Sequence, residues 1–308
     1  MGEVVAMKNP FKKNIAFSIL ILLLFILLSG CAKTNEVSRQ AVEDNKDKVI
    51  MDRCNSLLQK NDSTMAEVIQ FINENISAVS PQNASAMLIG LENKQKVVLS
   101  KMQVTYENDT IQQKLSKNFR GDFTDSYINT IQDKAIKDLL LETKNSGFKI
   151  ETAEGFYFPV IDYSLYKKYR TNVTPDIAAY TDIMSVESDK TSVKDAGLMI
   201  GWEEIVKRGI SQEQFLKEYY DSAKAEDVKQ LLKSYLILAL YGTNNTPLFQ
   251  YEDKQIVPTA KKIYFESAWN GDGSFSNIMA EYLALVKKNN YSLTKEIDDY
   301  RKKAIQEF

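Results

Sequence analysis

No histidine occurs anywhere in the 308 residues. That absence excludes Ser-His-Asp and Cys-His catalysis and the common histidine-containing zinc sites. Any chemistry therefore falls to carboxylates, lysine, tyrosine or serine. Cysteine is scarce as well, with only Cys31 and Cys54, and with no histidine to activate it Cys54 is a poor nucleophile. The twelve glycines are scattered, and no phosphate-cradling loop follows a strand. An excess of positive charge is missing too. The chain carries a net −2, and because residues 1–30 hold three lysines and one glutamate, the remainder stands at −4. Such a body has no basic stripe to neutralise phosphates, so no nucleic-acid partner is expected.

What is present starts with an ordinary globular composition, 44% hydrophobic and 26% charged, enough for one large or two modest domains with a real core. Near the beginning, Met7-Lys8-Asn9-Pro10-Phe11-Lys12-Lys13-Asn14 is a short basic segment. An apolar run of 14 residues follows from Ile15 to Leu28, interrupted in composition only by Ser18. As a helix it spans about 21 Å, short of the ~30 Å hydrocarbon core, which disfavours a permanent membrane span. Basic start, short apolar stretch and small residues before Cys31 are the ingredients of a secretory signal peptide. A purine-rich coding stretch at Gly2-Glu3-Val4 would make Met7 the expected initiator.

Leu28-Ser29-Gly30-Cys31 resembles the bacterial lipobox, in which a leucine, a small residue and Gly or Ala precede the modified cysteine. The resemblance implies a lipoprotein: residues 1–30 are its signal peptide, Leu28, Ser29 and Gly30 are read by the signal peptidase, and Cys31 carries a diacylglycerol thioether. A single acyl chain anchors weakly and two anchor stably, so the lipid would tether the chain to a membrane at its extracytoplasmic face. That covalent diacylglycerol is the only cofactor expected, and Cys54 is left without an intrachain partner. An uncleaved anchor and a plain signal peptide are the alternatives. Ala32, rather than Asp, follows the cysteine, which by lipoprotein sorting implies no retention at the inner membrane of a two-membrane cell.

The polar stretch 31–49 reads as a flexible or loosely helical tether. From residue 50 the apolar spacing becomes helical: Met65, Val68, Ile69, Ile72 and Ile76 share one face, Met87, Leu91, Val98 and Met102 continue it, and Ile128, Ile131, Ala135 and Leu139 form another stripe. Residues 50–145 are therefore expected to form a helical bundle. Alternation in Phe148-Lys149-Ile150-Glu151-Thr152, a turn at Ala153-Glu154-Gly155 and the run from Phe156 to Ile161 predict a β-hairpin within 146–163, with Pro159 making its second strand an edge or ending the pairing. Residues 164–308 read as a helical region. A helix starts at Thr174-Pro175-Asp176, and further helices are expected near 194–208, 212–222, 225–241, 259–269, 276–289 and 293–306. Gly209 and Gly242 are placed to end two of them, and Ile210 to Phe215 carries a capping box and a hydrophobic staple. The expected fold class is mainly α: an N-terminal helical bundle, one β-hairpin and a C-terminal array of helical hairpins. Phe215 to Ala225 is similar to the helical joint of tetratricopeptide-type repeats, which implies hairpin packing, although no second copy recurs at their period.

Several groups are candidate sites. Asn270, Asp272, Ser274 and Glu281 echo the oxygen-ligand spacing of a calcium-binding loop, but Phe275 stands where that loop needs glycine. The aromatic concentration from Phe148 to Tyr180 reads as core more readily than as a stacking platform. Glu203 and Glu204 beside Trp202, with Asp162, Glu187 and Asp195, could supply a carboxylate pair for glycoside hydrolysis, although acidic residues on helices are usually just solvated. The sequence therefore points to a membrane-anchored binding or scaffold module for an envelope protein or a cell-wall polymer, with no residue assigned to catalysis. The alternatives are a carboxylate-dependent cell-wall enzyme and, with only one hairpin against the many strands such a fold needs, a transporter solute-binding lipoprotein.

Overall fold

The computed structural model describes the backbone of residues 30–60, 62–269 and 273–308, with side chains from residue 45 onward. Leu28 and Ser29 lie outside the described residues, and Gly30 and Cys31 are described only as backbone at the start of helix α1 (Gly30–Gln59). The helix continues without a break through residues 49 and 50, where the sequence suggested that a tether ends. Contacts divide the chain into one unit ending at Arg53 and a second from Cys54 to Phe308. Among the described residues no helix is long and apolar enough to cross a membrane.

The second unit is mainly helical, and its first part is a bundle whose helix starts are written in capping residues. Thr64 and Glu67 form a reciprocal capping box at the head of α2 (Met65–Asn75), whose buried face is Met65, Val68, Ile69 and Ile72. Ser80 caps α3 (Pro81–Tyr106), with Pro81 in its first turn. The Lys94 ammonium donates to the carbonyls of Leu57, Leu58 and Lys60 at 3.3, 3.1 and 2.9 Å, satisfying acceptors at a helix C-terminus. Helices α4 (Asp109–Asn118), α5 (Asp125–Ile128) and α6 (Lys134–Asn145) complete the bundle. The stripe expected through Ala135 and Leu139 is corrected here. The helix stops after Ile128, and the Asp133 carboxylate restarts it by accepting from the Ala135 and Ile136 amides at 3.1 and 3.2 Å. The restart shifts the phase, so Ile136 and Leu140 are buried while Ala135 is exposed.

The hairpin pairs β1 (Phe148–Ala153) with β2 (Phe156–Ile161), from Phe148 opposite Ile161 to Ala153 opposite Phe156. Its two-residue turn needs positive φ at both positions, met by Glu154 (48°) and Gly155 (80°). Strand β2 packs across α3. Gln112 extends a side-chain amide to the backbone of Tyr157, accepting from its N–H at 2.9 Å and donating to its carbonyl at 2.7 Å. One glutamine thus stands in for a neighbouring strand at that residue.

After a 3-10 segment (Tyr163–Tyr169) come α7 (Pro175–Asp189), a second small ladder of β3 (Val193–Lys194) with β4 (Gly197–Leu198), and α8 (Trp202–Glu218). The helices expected at 194–208 and 212–222 are corrected: residues 193–198 form a tight hairpin, and one helix runs through Gly209 and Ser211. Gly209 does not end a helix. It lets the Phe275 ring approach the α8 backbone, since a Cβ there would lie 2.5 Å from the ring's Cζ and 2.7 Å from Cε1. Ser211 is accordingly not a helix cap. Helix α9 (Ala225–Tyr241) does end where glycine was expected to end it, at Gly242 with φ 71°. Helices α10 (Pro258–Glu266), α11 (Ser274–Lys288) and α12 (Lys295–Glu307) close around a core that includes Trp202, Leu236, Tyr264, Phe275 and Tyr282.

Gly→Ala inside a helix normally gains about 1 kcal/mol in propensity. Gly209→Ala should instead lower stability by about 1–3 kcal/mol, the usual cost of overpacking, because the fully buried Phe275 ring has nowhere to move. Thermal unfolding of the two proteins should show the lower midpoint for the variant; an unchanged or higher midpoint would contradict the close approach.

Candidate functional site

The interior of the second unit contains a carboxylate. Glu92, on α3, is 2% exposed. Its Oε1 accepts from the Tyr163 hydroxyl at 2.6 Å and the Tyr180 hydroxyl at 2.5 Å, and its Oε2 meets the Lys224 ammonium at 2.5 Å. Lys96 reaches Oε1 at 3.0 Å from the surface side. Lys224 also pairs with Asp227 at 3.0 Å and lies 4.8 Å from the centre of the Tyr180 ring. Burial pushes the Glu92 carboxyl up, but Lys224 and the two tyrosine donors outweigh it and hold the group below its ordinary range. Burial likewise pulls the Lys224 ammonium down, and Glu92 and Asp227 more than compensate, raising it.

The pattern extends along the 3-10 segment. Tyr166 donates to the Gln95 side chain at 2.5 Å, while the Gln95 amide donates to the carbonyls of Ser146 and Gly147. Tyr169 donates to Asn73 at 2.7 Å. The rings of Tyr163, Tyr166, Tyr169 and Tyr180 are buried, and burial pushes their hydroxyls up. They therefore remain protonated donors. This aromatic cluster is core, with each hydroxyl assigned a polar partner.

A second polar cluster surrounds Arg208 on α8. Its Nε donates to Glu204 at 2.9 Å, and its Nη1 donates to Glu187 at 3.2 Å and to the Lys190 carbonyl at 2.9 Å. The Tyr235 hydroxyl donates to Glu187 at 2.7 Å. Burial raises the Glu187 carboxyl above its ordinary value, only partly countered by Tyr235 and Arg208.

Two concavities flank this cluster. A cleft of 440 Å³ lies between strand β2, helix α7 and strand β3. Phe158, Val160 and Met184 give it an apolar lining, and Glu187 and the Lys194–Glu151 ion pair (2.6 Å) supply charge. A groove of 310 Å³ runs between α7 and α8, lined by Ile183, Val186, Phe215 and Gln212, with Glu204 and Arg208 also on its wall. An amphipathic lining with a few placed polar groups is what small-ligand and segment-binding sites present.

The residues singled out from sequence are placed as follows. Glu187 and Glu204 are brought together, joined by Arg208. Glu203 is exposed, Asp162 caps the 3-10 segment by accepting from the Ser164 amide at 3.0 Å, and Asp195 sits in the β3–β4 turn. Asn270 and Asp272 lie outside the described residues. Ser274 and Glu281 are both on helix α11, not in a loop, and Glu281 accepts from the Tyr300 hydroxyl at 2.9 Å. Among the described residues no group of three or more Cys, Asp or Glu is placed to hold a metal. Cys54 is free and buried, and burial pushes its thiol up to about 11. Reasoning from sequence missed Glu92, Gln95, Lys224 and Gln212. For the first two a signal existed: Leu88, Glu92, Gln95 and Met102 follow the helical phase of the buried face.

Replacing one member of a buried pair leaves its partner uncompensated, at a cost of about 3–5 kcal/mol. Glu92→Gln should lose stability of that order at pH 7 in denaturant unfolding, and Glu92→Leu combined with Lys224→Met should lose less than the two single changes added. The pH dependence has a definite sign. The lowered Glu92 value contributes stability above its ordinary 4.5, lost as pH falls through the folded value. The raised Lys224 value contributes below its ordinary 10.5, lost as pH rises through the folded one. The gap between wild type and Glu92→Gln should thus be full at pH 7 and shrink below pH 4.5; a gap that is flat into acid would refute the pairing.

Compared with protein-family models, with curated proteins and with solved structures, the chain matches none.

Proposed function

We propose that this chain is a lipoprotein held at the extracytoplasmic face of a bacterial membrane through diacylglycerol on Cys31, and that its helical body is a non-catalytic binding module for an envelope protein or a cell-wall polymer. The observation that carries the reading is the order of the first 31 residues: basic segment, 14-residue apolar run, then Leu28-Ser29-Gly30-Cys31. A thiolate is the nucleophile that takes the lipid, and small residues before it let a peptidase approach the backbone.

Support for binding over turnover comes from how the reactive groups are used. Glu204 and Glu187 are tied to Arg208, Glu92 to Lys224, and the Cys54 thiol is buried and raised. Two concave, amphipathic surfaces remain open for a partner. A second reading, a carboxylate-dependent cell-wall hydrolase, has one observation in its favour: the Glu187 carboxyl lines the cleft and is raised by burial. Soluble fragments released from peptidoglycan by the purified chain would establish it.

Expressed in bacteria fed a clickable palmitate analogue, the wild-type chain should incorporate label and fractionate with membranes at the mass of the processed form. Cys31→Ser should incorporate none and accumulate as the precursor. A wild-type chain that stays unlabelled, or a Cys31→Ser chain labelled and processed like wild type, would overturn the anchor.

A further inference from the structure

Among the described residues, Gln212 has both its side-chain nitrogen and its side-chain oxygen buried with no hydrogen-bond partner. The residue is 1% exposed. An unmet buried amide costs about 1–3 kcal/mol, and folded proteins seldom retain one without a reason. Gln212 is among the residues that line the α7–α8 groove; its amide is closed to solvent, so a ligand seated there reaches the amide as the groove wall parts around it.

The amide offers a donor and an acceptor side by side. Its complement is the N–H and C=O of a single residue in extended conformation, a pairing this same chain already makes between Gln112 and Tyr157 at 2.9 and 2.7 Å. The groove walls suit such an occupant. Ala179, Ile183 and Val186 form an aliphatic face at helical spacing along α7, able to take alternate side chains of a strand. The Phe215 and Tyr219 rings pack on each other at 5.3 Å with a tilt of 55° and Phe215 is buried, so Tyr219 is the one aromatic side chain of this pair left partly open to the groove, against a wall that is otherwise aliphatic. Along α8 the lining runs from Glu204 to Glu218, about 21 Å of helix, the length of roughly six extended residues.

We propose that the α7–α8 groove binds an extended peptide segment, one residue of which pairs its backbone N–H and C=O with the Gln212 amide. Main-chain pairing supplies the affinity and the aliphatic wall selects side chains, as in other strand-capturing sites. The proposal rests on the binding-module reading and names its partner class; it does not depend on the lipid.

The test uses the full chain in detergent, probed with an immobilised hexapeptide array and, in a parallel arm, with tetra-N-acetylchitotetraose, a glycan that also carries amides. A subset of hexapeptides should bind. Gln212→Met, close in volume but without donor or acceptor, should weaken that binding by about tenfold or more while raising the unfolding temperature, because the unmet amide is gone. N-methylation of one backbone amide in a bound hexapeptide should cost wild type the same factor and cost Gln212→Met nothing further. The inference is overturned if no hexapeptide binds, if Gln212→Met binds as well as wild type, if that variant melts at a lower temperature, or if chitotetraose is the Gln212-dependent ligand. Palmitate labelling at Cys31 is read independently: label present with an empty array removes the peptide groove and keeps the anchor, and the reverse outcome removes only the anchor.

Discussion

A carboxylate carried into the interior sets the terms for the fold between Cys54 and Phe308. Ionised Glu92 needs every acceptor site filled, because an uncompensated charge in a low-dielectric interior is costly. Its partners come from three separate places in the chain: Tyr163 from the 3-10 segment, Tyr180 from α7, and Lys224 from the joint between α8 and α9. Lys96, on α3 itself, adds a contact to Oε1 at 3.0 Å, but Lys224 is the partner of Oε2, and without it the charge on that oxygen is left unmet. The requirement couples α3 to segments 71, 88 and 132 residues further along the sequence, and it makes the bundle, the tyrosine-rich turn and the α8–α9 joint interdependent.

Apolar contacts alone would not impose this arrangement. Aliphatic faces tolerate small slips at modest cost, and a buried ion pair is often no more stable than a hydrophobic replacement. What the pair adds is geometric. Tyr163, Tyr166 and Tyr169 recur every third residue, the period of a 3-10 helix, and their hydroxyls land on Glu92, Gln95 and Asn73. Shifting that turn by one residue would break all three bonds at once. Glutamine performs a related task at Gln112, where a side-chain amide substitutes for a missing strand. With Cys54 free and buried, no disulfide braces this body among the described residues, and these polar contacts take the place of a covalent staple.

Much of the fold was legible in the sequence wherever local chemistry decides the outcome. Thr174-Pro175 does begin a helix, Gly242 does end one, and the hairpin follows from alternation and the turn signal at Ala153-Glu154-Gly155, of which Ala153 proves to be the last paired residue of β1. Misreadings arose where tertiary contact overrules a local rule. Gly209 looks like a helix end because glycine usually marks one, but here Phe275, 66 residues away, needs the space. The α6 stripe was misphased because Asp133 restarts the helix out of register. The candidate site was far less legible. Glu187 and Glu204 stood out as acidic residues near a tryptophan, yet their meeting at Arg208 depends on how α7 packs on α8. Glu92 and Gln95 sit between lysines and asparagine and read as a solvated face, although their helical phase is that of the core. Gln212 has no sequence signal, since only the folded surroundings reveal that its amide is unmet.

The two polar clusters also decide where a ligand can sit. Tyr163 and Glu187 both line the 440 Å³ cleft, while Glu204, Arg208 and Gln212 line the groove on the other side of α7. In the cleft, the hydroxyl and the carboxylate are already committed: Tyr163 to Glu92, Glu187 to Tyr235 and Arg208. A ligand entering there meets groups whose hydrogen-bonding capacity is largely used, and it would have to compete for them. In the groove Glu204 and Arg208 are likewise committed to each other, but the Gln212 amide has donor and acceptor unspent. Cleft volume alone would favour the larger site, but hydrogen-bonding capacity favours the smaller one. Specific recognition depends on polar groups that gain partners on binding more than on the space available. By that criterion the smaller concavity, between α7 and α8, is the better equipped of the two to select what it binds.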